Sequence, residues 1–149
     1  VVGIPNTGKS SFINRMAGKN RAKVADKAGV TRQNQWFAVG GGIELLDTPG
    51  VLWPKFDDPE VGDRLAFIGS VKDEVTDLET LTCRLLEVLG RTRPQAIIQR
   101  YGIAVDEYMQ GWEILEAIGR KRDYNRSAVI VADEFRGGKL GRMTLELPE

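Results

Sequence analysis

The stretch Val1-Val2-Gly3-Ile4-Pro5-Asn6-Thr7-Gly8-Lys9-Ser10-Ser11 reads as the end of a buried strand running into a phosphate-binding loop and then a helix. Gly3, Gly8, Lys9 and Ser10 fill the pattern G-x-x-x-x-G-K-[ST]. The glycines let backbone N–H groups curl around phosphates, Lys9 reaches the outer phosphate oxygens, and the Ser10 hydroxyl can ligate Mg²⁺. The following helix would present its positive N-terminal end to the anion. Phe12, Ile13 and Met16 repeat at helical spacing directly after Ser10, which supplies that helix and its apolar face.

A loop of this kind needs partners further along the chain. Gln35 to Val39 and Ile43 to Leu46 read as two strands joined through Gly40-Gly41-Gly42, most simply a hairpin. The second strand ends in Asp47-Thr48-Pro49-Gly50. An aspartate there can hold the shell of a Mg²⁺ ion, and Gly50 can offer its N–H to a γ-phosphate. A strand-ending turn would explain D-x-x-G alone equally well. Gly18 to Asn34 reads as a long polar loop, and loops of that length in a compact domain are usually functional or mobile. It holds Thr31, either a polar loop residue or a threonine that closes on metal and phosphate.

Beyond the loop the pattern becomes helical. Asp58-Pro59 opens a helix reaching about Ile68. An acidic start at Asp73 leads into an apolar stripe from Val75 through Leu78, Leu81, Leu85 and Leu86 to Leu89, stopped by Gly90. Pro94 to Tyr101, Asp106 to Gly119, and a segment capped by Ser127 and running through Phe135 follow. Leu140 to Leu147 is expected to run extended. Tyr108, Met109 and Trp112 are expected in the core, as is Cys83. The composition shifts near Gly69 to Asp73, from mixed α/β to all-helical.

Two absences narrow the chemistry. The sequence has no histidine, so histidine-based triads and zinc–histidine sites lie outside what these residues can build. Its one cysteine cannot form an internal disulfide, which suits a reducing compartment. No apolar run is long enough to cross a bilayer, and no basic-then-apolar leader is present. Formal charge is zero but uneven: Arg120 to Arg142 holds 7 basic against 3 acidic residues. That tail fits a phosphate-rich partner, and it fits a solvated helix face as well.

The segments GIPNTGKSS, AGVTR, LLDTPGVLWP and EFRGGKLGRMTLELP together resemble the circularly permuted GTPases of the ribosome biogenesis GTPase A (YlqF-type) family, across essentially the whole chain. The resemblance implies an α/β fold: a three-strand portion of a P-loop NTPase domain over residues 1–72, then an all-α C-terminal domain over 73–149. It implies nucleotide contacts from Pro5, Asn6, Thr7, Gly8, Lys9, Ser10, Ser11, Thr31 and Gly50. Mg²⁺ would be held by Ser10, Thr31 and Asp47, and K⁺ by Asn6. The implied function is a GTP-hydrolysing assembly factor for the large ribosomal subunit, in the cytoplasm or an organellar matrix. Arg120, Lys121, Arg122, Arg126, Arg136, Lys139 and Arg142 are the candidate contacts to ribosomal RNA.

Two departures qualify that picture. Val51 stands where a water-orienting glutamine would sit, and an aliphatic side chain can neither donate to nor accept from water. No catalytic residue is therefore assigned, and hydrolysis must draw on K⁺, on a residue outside this sequence, or on the ribosome. The guanine-reading N-K-x-D also does not occur. In the permuted family it precedes the P-loop, so the chain reads as the part that starts at the P-loop. Taken alone, that part is expected to bind nucleotide weakly and without base selectivity, and to hydrolyse poorly. It could then act as a ribosome or RNA interaction module; a P-loop ATPase or small-molecule kinase is the other enzyme reading.

Overall fold

The computed structural model describes residues 1–18, 30–53, 55–72, 77–120 and 123–146. The chain forms two compact units: Val1–Pro59 with Gly69–Lys72, and Glu60–Ile68 with Asp73–Glu149.

In the first unit, helix α1 (Lys9–Ala17) packs on a hairpin of β1 (Gln35–Gly40) and β2 (Ile43–Asp47). The strands pair antiparallel, with Phe37 opposite Leu45 and Gln35 opposite Asp47. Phe37 and Leu45 point to one face of the pleat and meet Ile13 of α1, forming a small apolar cluster. Only Ile13 of the three apolar residues read into α1 is buried; Phe12 and Met16 are half exposed. The described sheet has two strands. Val1 lies against β2, its amino group donating to the Leu46 carbonyl and its own carbonyl accepting from the Thr48 hydroxyl. That contact is too short to make the strand expected ahead of the loop. Most of the long loop, 19–29, is outside the described residues.

The second unit is helical. α2 (Pro59–Phe67), α3 (Leu78–Thr92), α4 (Pro94–Tyr101), α5 (Gly111–Gly119) and α6 (Tyr124–Arg136) follow in order. Leu81, Leu85, Leu86 and Leu89 form the buried stripe of α3, which packs on α4, α5 and α6. Ile97, Ile114, Leu115, Ala128, Val131 and Ala132 are the buried apolar side chains those helices contribute. Residues 73–76, where the stripe was expected to begin, are outside the described residues; the described helix starts at an Asp77 cap. Gly90 does not end α3. The helix runs to Thr92 and stops before Pro94, which disfavours helical geometry in the residue preceding it.

Two other starts differ from the sequence reading. Asp106 does not open a helix: its carboxylate accepts from the N–H groups of Tyr108 and Met109, making a turn. α5 begins five residues later under a Gln110–Glu113 capping box. In consequence Tyr108 is 81% and Trp112 54% exposed, neither in the core. α6 is capped by Asp123, which accepts from the Asn125 N–H, and Ser127 lies inside the helix with its hydroxyl bonded back to the Asp123 carbonyl. Cys83 is partly buried beside the Tyr124 hydroxyl. After Leu140 the described chain has no regular structure.

Glu134 of α6 gives the helical unit an acid sensitivity. The Arg100 guanidinium donates to it and holds its carboxyl below the usual range; the Tyr101 hydroxyl assists. A depressed carboxylate contributes stability above its unfolded value, near 4.5, and loses it as pH falls through the folded value. Thermal midpoints measured from pH 6 downward should therefore fall more steeply for the wild type than for Glu134→Gln, its advantage over the variant shrinking below about pH 4.5.

Candidate nucleotide site

The loop between Val2 and α1 is built as the motif requires. Gly8 takes a left-handed conformation as the N-cap of α1, leaving the first N–H groups of that helix without an intrahelical acceptor. Such a helix start, with the positive end of its dipole, is suited to an anion. The Lys9 ammonium lies over the loop and donates to the Ile4 carbonyl at 2.8 Å; the Thr7 hydroxyl donates to the same oxygen at 2.9 Å. Asn6 has φ 58, alone among the described non-glycine residues in taking a positive value. Ser11, the third residue of the helix, is exposed.

Three oxygen-bearing side chains from separate parts of the chain meet beside Lys9's helix. Ser10 comes from α1, Asp47 from the end of β2, and Thr31 from the segment before β1. The Ser10 hydroxyl donates to Asp47 Oδ2 at 2.7 Å and lies 3.1 Å from Thr31 Oγ1. Thr31 Oγ1 is 3.4 Å from the same carboxylate oxygen. The hairpin register sets this geometry by ending β2 at Asp47, which is only 2% exposed.

The other carboxylate oxygen tests whether a cation fits. Asp47 Oδ1 is buried and has no hydrogen-bond partner, the one such side-chain atom among the described residues. An orphaned carboxylate oxygen is costly to bury, and a hard divalent ion is what relieves it. One carboxylate with two hydroxyls is also what Mg²⁺ takes when substrate phosphates complete its shell. The donor set therefore fits Mg²⁺, at Ser10, Thr31 and Asp47.

Gly50 sits against the loop. A Cβ there would lie 2.5 Å from both the N and Cα of Pro5, so only glycine allows the approach. Val51, next in sequence, is 73% exposed and offers no polar atom to water.

Loop, helix start and oxygen cluster lie together in the first unit, and the family model described as "50S ribosome-binding GTPase" matches residues 1–99. The chain belongs to the 50S ribosome-binding GTPase family. The expected resemblance to ribosome biogenesis GTPase A is borne out as well. The chain is 44% identical to the protein of that name from Bacillus cereus, over all of this chain and 53% of that one. Two solved structures align with it. GNP-bound YlqF from T. maritima gives a TM-score of 0.65 at 28% identity, covering all of this chain and 58% of that one. GDP-bound YlqF gives 0.60 at 27% identity, covering 99% and 59%. The chain thus spans about half the length of these GTPases.

The basic candidates of the helical unit part company. Arg120, Arg126, Lys139 and Arg142 are exposed, with Lys139 4.0 Å from Glu134. Lys121 and Arg122 are outside the described residues. Arg136 is engaged inside the fold: its guanidinium donates to the Phe67 and Ala66 carbonyls at 3.1 and 3.0 Å, satisfying the last turn of α2.

Proposed function

We propose that this chain carries the phosphate-binding and switch elements of a GTP-hydrolysing assembly factor for the large ribosomal subunit. The observation that carries the reading is the oxygen cluster of Ser10, Thr31 and Asp47, with its unpartnered carboxylate oxygen, beside the P-loop lysine. In this reading Lys9 and the N–H groups at the start of α1 bind the β- and γ-phosphates of GTP. Thr31 and Gly50 read the γ-phosphate from the two segments that flank the hairpin. Mg²⁺, when bound at Ser10, Thr31 and Asp47, supplies charge neutralisation between the phosphates. Loss of the γ-phosphate removes the anchor of both segments, which is how a nucleotide switch is released.

Val51 cannot orient the attacking water, so charge compensation has to come from elsewhere. Asn6 offers a neutral amide oxygen, the donor type a monovalent cation takes, and K⁺ held there would take the part of an arginine finger. The region 73–149 serves as the RNA-contacting domain, with Arg120, Arg126, Lys139 and Arg142 on its surface. Its binding should then weaken steeply with salt, since phosphate contacts release counterions. The place of work is wherever ribosomes are assembled, the cytoplasm or an organellar matrix.

The test is GTP turnover by the natural full-length protein with purified large subunits, in K⁺ and in Na⁺ at equal ionic strength. Faster phosphate release in K⁺, lost in Asn6→Ala, supports the reading. Equal turnover in the two salts removes Asn6 as a cation ligand, and absence of turnover with subunits present removes GTP hydrolysis itself.

A further inference from the structure

Ser70 belongs to no nucleotide-binding motif, yet it is bonded to the P-loop. It lies in the short segment Gly69–Lys72, which belongs to the first unit although the helix before it does not. Its side chain is 1% exposed, and its hydroxyl donates to the Pro5 carbonyl at 2.7 Å across 65 residues of sequence. Pro5 is itself buried, and Gly50 presses on its N and Cα. Pro5, in the middle of the loop, is therefore held by two segments distant in sequence.

The bond matters because of the peptide it fixes. The Pro5 carbonyl shares its plane with the Asn6 N–H, and no described peptide is cis. In a planar trans peptide the C=O and N–H point in opposite directions. Holding the carbonyl toward Ser70 directs the Asn6 N–H to the other side of the loop. It also holds Asn6 at φ 58, a conformation that disfavours side chains and persists where surroundings impose it.

We infer that Ser70 is a positioning residue for the P-loop, presetting the Pro5–Asn6 peptide so that the Asn6 N–H and amide face the nucleotide phosphates. The inference rests on the nucleotide reading above, and it adds a residue that acts through Pro5 and touches no ligand. Ser70→Ala removes the donor and frees that peptide. Ser70→Thr keeps a hydroxyl. Thr82→Val serves as a control, because it deletes another buried hydroxyl bonded to a backbone carbonyl, that of Ala128 in the helical unit.

Two readouts are needed on the natural full-length protein: the GDP dissociation constant, and the backbone amide NMR signal of Asn6 without nucleotide. Ser70→Ala should weaken GDP binding about 5-fold, the scale of one hydrogen bond, and shift or broaden the Asn6 signal. Ser70→Thr should recover affinity toward wild type. Thr82→Val should lower the thermal midpoint yet leave both readouts unchanged. Wild-type GDP affinity and an unchanged Asn6 signal in Ser70→Ala would overturn the inference. Should wild type itself bind no GDP, the nucleotide reading fails, while the Asn6 signal still decides whether Ser70 holds the loop.

Discussion

Asp47→Asn should weaken Mg²⁺-dependent GTP binding by about 10- to 100-fold while leaving the metal-free protein as stable as wild type, or more so. The two halves of this result have one cause. Asp47 is 2% exposed, and only its Oδ2 is partnered, by Ser10 and Thr31. Its Oδ1 is buried without a partner. A buried polar atom left unpaired costs about 1–3 kcal/mol, so the carboxylate is a burden on the empty fold. Neutralising it lightens that burden and removes the charge that attracts the cation. A carboxylate kept for structure would behave in the opposite way. Thermal midpoints in EDTA and fluorescent-GTP titrations in Mg²⁺ separate the two: a large loss of midpoint with unchanged affinity would make Asp47 a structural residue.

Gly111→Ala should be the most damaging single-methyl substitution in the helical unit. A Cβ at Gly111 would stand 1.8 Å from the Cys83 carbonyl oxygen and 2.5 Å from its carbon. Both atoms are backbone of α3, so no side-chain rotation can relieve the clash. The start of α5 would have to move off α3, disturbing the packing of Ile114 and Leu115, which are fully buried. Overpacking costs about 1–3 kcal/mol where side chains can adjust, and a backbone clash belongs at or above the top of that range. For a domain of this size about 3 kcal/mol lowers the midpoint by roughly 12–24 °C. The expected result is early loss of the helical circular-dichroism signal. A midpoint within about 2 °C of wild type would show that α5 does not approach α3 this closely.

How far the sequence could be read follows from the range of each interaction. Elements fixed by neighbouring residues were legible: the P-loop and α1, the hairpin through three glycines, and α4 between Pro94 and Gly102. The oxygen cluster was legible too, since Ser10, Thr31 and Asp47 each sit in a recognisable local setting. Helix starts were misplaced where a side chain had two uses. Asp106 looks like a cap but closes a turn, and Ser127 looks like a cap but lies a turn inside a helix begun by Asp123. Trp112 and Tyr108 share an apolar stretch with Ile114, but that stretch does not say which side meets α3; both aromatics are exposed. Arg136 and Ser70 were beyond reach for a different reason. Their partners, Phe67 and Pro5, lie 69 and 65 residues away, and the bonds go to backbone carbonyls, which leave no mark in residue type.

The central claim is that the loop at Gly3–Ser10 binds the phosphates of a nucleotide with Lys9 as the charged contact. It is tested most directly by titrating a fluorescent GTP analogue into natural full-length wild type and Lys9→Ala, both in Mg²⁺. Lys9 is the one ammonium in the loop, and a charge-assisted bond to phosphate is roughly twice as strong as a neutral one. The account predicts saturable binding by wild type and a loss of about 10-fold or more in Lys9→Ala, which keeps its helical circular-dichroism signal. Equal affinity in the two proteins, or no saturable binding by wild type, would contradict it.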